Sequence, residues 1–209
     1  MEVYYYIPAA EVSNAVECGL KLSRWSDREA FIDGDLKKCI CGLLNPKDDA
    51  VKYNSRDLRC IKLEVPSNYC YVADRYLYLV GLSNPKVMDL YTESVVPVEK
   101  YRFGSYRLPE CLVTSTIIGG NVGVLDKRLD SPVLFGNSEE LYIGNIIEAY
   151  KEMHDDFNDT MLYNFYCKLA EFEKVDKIED NEKKIAVFID KRNQVKPVTI
   201  KIPDMEGYL

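Results

Sequence analysis

The chain places one carboxylate where a strand wants to be dry. In 107-RLPECLVTSTI-117, Glu110 follows a proline and directly precedes the apolar run Cys111-Leu112-Val113. A charge at that point is either the solvated end of a strand or a catalytic acid held on a rigid edge. The segment before it, 91-YTESVVPVEKYRFGSYR-107, interleaves Lys100, Arg102 and Arg107 with Tyr101, Phe103 and Tyr106. Cations set among aromatic rings suit contact with a nucleic-acid backbone and stacking on its bases. They equally suit a surface loop tucked down by its rings. Near the N-terminus, VYYYI carries Tyr5 and Tyr6, and each offers an apolar ring with a polar tip, fit for a core, an interface or a stacking pocket. Lys47 lies in the turn Asn45-Pro46-Lys47-Asp48, either as a solvated charge or as a contact for an anion.

Other chemistries find little to work with. The one histidine, His154, sits in the acidic helical stretch KEMHDDFND and reads as a solvated helix residue. The seven cysteines lack metal-ligand pairing, and Cys39 and Cys41 alternate onto one face of an apolar strand, as buried free thiols would. No metal is expected. GxxxxGK[ST], GxGxxG at a strand-to-helix turn, HExxH and GxSxG are all missing. The net charge of -7 argues against a broad electrostatic grip on nucleic acid, while leaving room for a local basic groove. With 47% apolar and 29% charged residues the composition is that of a globular protein. No run approaches the roughly 18 apolar residues that cross a bilayer. The N-terminal stretch lacks the basic flank and apolar core of a signal peptide, so a cytoplasmic location and no membrane partner are expected.

The elements that must position these residues follow from periodicity. Residues 3–7 read as a strand ended by Pro8. Val12, Ala15, Val16 and Leu20 then fall on one helix face, with Gly19 as the stop. A short helix is expected within 26–36, from Ser26 followed by Glu29 three residues on. Strands are expected at 38–44 and 58–65. Residues 69–72 and 75–80 fit either a hairpin or a strand followed by a helix. Residues 84–100 read as loop with one strand at 94–96, and 110–117 and 122–125 as strands about the Gly119-Gly120-Asn121 turn. From Ser138 onwards two helices are expected, one of about five turns and one over 160–172. The acidic run 176–184 reads as a solvated loop. A closing hairpin at 184–189 and 197–202 should turn Ile185, Val187 and Ile189 inward.

Two stretches together resemble the ADP-ribosyltransferase-fold superfamily, and within it the DarT group of DNA-modifying ADP-ribosyltransferases. YYYIPAAEVSNAVECGL is similar to that group's first strand and helix, which ends in Gly-Leu. PECLVTSTIIGGNVGVL is similar to its catalytic strand, with Glu110 in the glutamate's place. A third likeness is 40-ICGLLNPKDD-49. The likeness covers roughly residues 4–125. Aligned on Gly19-Leu20, Tyr5 stands where the group has histidine, Ile7 where it has threonine and Lys47 where it has arginine.

The resemblance implies an α+β protein with an ADP-ribosyltransferase-like split-sheet core over 1–135. Residues 136–209 lie beyond the likeness. Their apolar faces must be buried, so a helical and β-hairpin cap packed on the core is expected there from the residue pattern, not from the resemblance. The resemblance implies transfer of ADP-ribose from NAD to a nucleic-acid or protein acceptor, with the first and catalytic strands adjacent at the floor of a cleft. Glu110 would be catalytic. Tyr5 or Tyr6 would stack on nicotinamide and Lys47 would contact phosphate. The loop bearing Lys100, Tyr101, Arg102 and Arg107 would meet the acceptor. The tyrosine and isoleucine in place of His and Thr leave a competing expectation, the same fold as an inactive binding module. A monomer is expected, a weak homodimer ranking second.

Overall fold

The computed structural model describes residues 1–125, 136–191 and 197–204, and the expected boundary at residue 135 falls outside them. The described chain is α+β with a large antiparallel sheet. It divides into two compact units, Met1–Asn145 and Ile146–Leu209.

The first unit is built on an eight-stranded antiparallel sheet. Its strands are β1 (Glu2–Pro8), β2 (Arg28–Ile32), β3 (Asp35–Leu43), β4 (Leu58–Glu64), β5 (Cys70–Asp74), β6 (Val96–Pro97), β7 (Pro109–Val113) and β8 (Val122–Val124). Their order is β6-β5-β7-β3-β1-β4-β8, with β2 paired on β3. Alternation on β7 sends Cys111 and Val113 to one face and Leu112 to the other. The first face packs against helices α1 (Val12–Cys18) and α2 (Leu22–Trp25), through Ala15, Leu20, Leu22 and Trp25. The second packs against α4 (Arg75–Gly81) and α5 (Pro85–Ser94), through Leu77, Tyr78, Met88 and Tyr91. A short α3 (Ala50–Asn54) precedes β4. Cys39 and Cys41 do share one face, and both thiols are free.

The first unit differs from the sequence expectation at three points. Residues 28–32 form a strand where a helix was expected, because Asp33-Gly34 makes a tight hairpin with β3. Both turn residues adopt positive φ, 55° and 87°, as a type I′ turn requires. Residues 85–94 form a helix where a loop was expected. Asn84 caps it by accepting from the Lys86 N–H at 3.2 Å, and Pro85 sits at the first helical position, where its missing N–H costs nothing. The first strand and the strand carrying Glu110, expected to be neighbours, are also not adjacent, since β3 lies between β1 and β7.

The second unit carries α7 (Phe157–Glu171) and a three-stranded antiparallel sheet in the order β11-β10-β9. Its strands are β9 (Val175–Asp180), β10 (Ile185–Asp190) and β11 (Val198–Lys201). α6 (Ser138–Met153) runs through the division between the units. Part of the acidic run expected to be a loop is β9, and the inward face of β10 is the opposite one to that expected. Ala186 and Phe188 are buried with Ile200, while Ile189 is exposed. The deciding contact is aromatic. Phe188 packs on Tyr163 and Tyr166 of α7, with ring centroids 6.3 and 5.2 Å away.

Candidate functional site

β1 and β3 share one ladder position, Tyr4 opposite Leu43, whereas β1 and β4 run paired from Glu2 to Pro8. Past that position the two strands part. The next residues on each, Tyr5 and Tyr6 of β1 and Gly42 and Cys41 of β3, line a cavity of about 240 Å³. Asp27 spans the fork. Its carboxylate accepts from the Tyr5 hydroxyl at 2.9 Å and from the Cys41 N–H at 2.7 Å. Removing it in Asp27→Ala leaves both donors to solvent, and a loss of about 1 kcal/mol is expected in urea unfolding. Burial is the main reason the Tyr5 phenol is hard to ionise, and the Asp27 charge adds to it. Ultraviolet titration should therefore find Tyr5 ionising at lower pH in Asp27→Asn, though still above a free tyrosine.

Glu110 lies in the same row across the sheet, opposite Leu43 on one side and Ala73 on the other. It is 1% exposed, the most deeply buried charge among the described residues. The same alternation that sends Leu112 to the α4–α5 face sends Glu110 there, into this cavity. The question raised by its position thus has a structural answer: it is not a solvated strand end. One carboxylate oxygen pairs with the Arg28 guanidinium. The other accepts from the Tyr91 hydroxyl at 3.1 Å. Arg28 is stacked over Tyr78, 3.6 Å from its ring centroid, and stands 5.6 Å from that of Tyr91. Burial pushes the Glu110 carboxyl above the usual range, and Arg28, Tyr91 and Arg75 partly hold it down. Burial opposes the Arg28 charge, but the acidic groups beside it, Cys41 and Glu110 first, outweigh burial and keep it a cation.

Two further cations line the cavity, Lys52 and Arg75. Both approach Asp49, at 3.7 Å each. Arg75 is set by its own backbone, whose N–H donates to the Leu108 carbonyl at 3.0 Å, tying α4 to the approach to β7. Tyr6 is fixed by donating to the Pro46 carbonyl at 2.7 Å.

Of the residues singled out from the sequence, Glu110, Tyr5 and Tyr6 come together here. Lys47 and Arg107 instead line a separate, smaller cavity of about 100 Å³ with Asp48, Tyr76 and Glu139. Arg107 is paired there with Glu139, its Nε at 2.6 Å. The Tyr101 ring packs on Phe103 and Tyr106, centroids 5.6 and 5.2 Å away, and its hydroxyl is buried. Tyr106 donates to the Ser94 carbonyl at 2.7 Å. The Tyr101 and Tyr106 rings hold the loop to the protein; Lys100 and Arg102 are exposed cations on it, as is Arg107, which Glu139 pairs. Asp27, Arg28, Lys52, Arg75, Tyr78 and Tyr91 were not foreseen. The Asp33-Gly34 hairpin signal was the one cue that would have placed Arg28 on a strand beside β3.

Comparison of the chain with protein-family models, with curated proteins and with solved structures gives no match. Among the described residues no group of three or more His, Cys, Asp or Glu is placed to hold a metal ion. No described helix is long and apolar enough to cross a membrane.

Proposed function

We propose that the protein is an ADP-ribosyltransferase that moves ADP-ribose from NAD to a nucleic-acid or protein acceptor, with Glu110 as its catalytic carboxylate. The observation that carries this reading is Glu110 itself, a buried carboxylate on an inner strand. It opens onto a parted sheet beside two tyrosines and three cations. As nicotinamide leaves, the sugar becomes oxocarbenium-like. A fixed anion in a poorly hydrated wall stabilises that growing positive charge, and it can hold a ribose hydroxyl or accept the acceptor's proton.

The residues present suit such a substrate. The cavity lies just under the roughly 300–1,000 Å³ of ordinary ligand pockets, which fits one end of a dinucleotide. Tyr5 and Tyr6 line it, their hydroxyls tied to Asp27 and to the Pro46 carbonyl. Lys52 and Arg75 provide positive charge for a pyrophosphate, the part first assigned to Lys47, which lies outside this cavity. Lys100 and Arg102 remain the candidate contacts for the acceptor.

A second reading, a binding module without catalysis, is favoured by one observation: both Glu110 oxygens already have partners. A carboxylate has about four lone-pair sites, so each oxygen keeps one for a substrate hydroxyl, and the enzymatic reading stands first. Incubation with NAD and mixed DNA, RNA and protein separates the two. Nicotinamide release that disappears in Glu110→Gln supports the transferase. Tight partner binding unaffected by that change, without release, supports the module.

A further inference from the structure

Arg28 is a residue that neither the resemblance nor the motifs bring forward, yet it is the closest charge to Glu110. The groups facing Glu110 come from four elements: Arg28 of β2, Cys39 and Cys41 of β3, Arg75 at the start of α4 and Tyr91 of α5. Cys111 adjoins it on β7 itself. Among these the only cations are Arg28 and Arg75; Lys52 of α3 lines the same cavity, and both it and Arg75 lean to Asp49. Burial drives the thiols of Cys39 and Cys41 upward, so they are neutral and give Glu110 no opposing charge. The ionisation of Glu110 therefore rests first on Arg28, with Tyr91 and Arg75 adding to it. The arginine side chain is 12% exposed and the glutamate 2%, so solvent screens the pair little.

Geometry makes the choice of cation specific. The Arg28 guanidinium is planar and lies on the Tyr78 ring, which locates its edge against the carboxylate. A lysine ammonium keeps the charge but neither stacks face to face nor presents a planar fork. Tyr78 and Tyr91 also pack on each other, centroids 5.3 Å apart, so the hydroxyl on the second Glu110 oxygen belongs to the same assembly.

We propose that Arg28 is a positioning residue, held on Tyr78, which fixes Glu110 as an oriented anion in the parted sheet. Its bearing on catalysis rests on the transferase reading; its bearing on the Glu110 charge does not.

The test is a carboxyl titration of the full chain labelled with 13C-glutamate, with the Glu110 signal identified by its loss in Glu110→Gln. Arg28→Ala should raise the Glu110 midpoint by about 1–3 units, 10- to 1,000-fold in proton affinity. Arg28→Lys should raise it by less. An unmoved midpoint in Arg28→Ala overturns the proposal.

Should Arg28→Ala fail to fold at neutral pH, thermal unfolding across pH decides instead. An unpaired buried Glu110 has a folded pKa far above its unfolded value near 4.5. The variant is then most stable below that value and loses stability as pH rises through the folded pKa. Recovery toward the parent Tm in acid is expected, and an equal deficit at every pH overturns the proposal. Where the parent releases nicotinamide, the acid limb of the kcat profile in Arg28→Ala should move with the titration midpoint. A parent that releases none ends the transferase reading, while the titration still decides the role of Arg28.

Discussion

Glu110→Gln should lower nicotinamide release from NAD by about 10²–10³-fold, the usual effect of removing one fixed electrostatic contact to a transition state. Glutamine keeps the shape and the contact with Tyr91 but removes the charge. The same substitution leaves Arg28 a buried cation without its counter-ion, which costs about 3–5 kcal/mol of stability, so lost release alone could reflect lost fold. The double variant Arg28→Met/Glu110→Gln separates the two effects. Replacing both partners of a buried pair by uncharged groups is often neutral for stability. Urea unfolding of the double variant should thus return most of the way to the parent, while nicotinamide release stays low. Full release from either variant would end the assignment of Glu110 as the catalytic group.

The second large effect is expected far from any charge. Gly19 ends α1 with φ 74° and ψ −170°, a region of backbone space almost exclusive to glycine. A side chain there would also strike the backbone of the facing loop, at 2.7 Å from the Gly119 nitrogen and 2.8 Å from the Ile118 carbonyl carbon, with the Ile117 oxygen nearer still. The neighbours are main-chain atoms, so no rotamer change relieves the clash. Backbone strain of this kind costs about 1–3 kcal/mol, and the clash adds to it. Gly19→Ala should therefore lose about 3 kcal/mol or more in urea unfolding. The loss has a structural route. Leu20 and Ile117 exchange two backbone hydrogen bonds, at 2.7 and 3.0 Å, and both side chains are buried in the core beneath α1. Pushing the loop off Gly19 breaks that bridge. A variant of unchanged stability would mean that the α1 end and the 117–119 loop do not pack as described. The glutamate lies on the other face of the sheet, so at a temperature where the variant is folded, nicotinamide release should be near that of the parent.

Local pattern was enough for much of this protein. The strand VYYYI ended by Pro8, the α1 stripe closed by Gly19, the strands about residues 40, 61 and 111 and the two C-terminal helices each declare themselves within about a dozen residues. It was enough, too, to mark Glu110, because a carboxylate against Cys-Leu-Val conflicts with its surroundings whatever the fold. Pattern failed where one short signal had two meanings. Ser26 with Glu29 imitates a helix cap, yet the Asp33-Gly34 turn two residues past Phe31 makes the segment a hairpin arm. Pro85 reads as a breaker, yet at the first position of a helix it is an initiator. On β10 both faces are apolar, so alternation could not choose between Ile189 and Phe188, and the rings of α7 made the choice.

The sequence by itself determined an α+β chain with one anomalous carboxylate at the head of an apolar strand. Only the tertiary structure decided what that carboxylate meets. Its counter-ion, Arg28, is 82 residues away along the chain, and Tyr91 reaches it from a helix that local signals did not show. Such contacts depend on strand order, and strand order is set by which apolar faces can be buried together, a property of the whole sheet that no window of residues contains. Lys47 shows the same limit from the other side: its place in a turn beside β3 was legible, but the Tyr6–Pro46 hydrogen bond and the packing of Asp48 on Ser138 put it on a different cavity from Glu110.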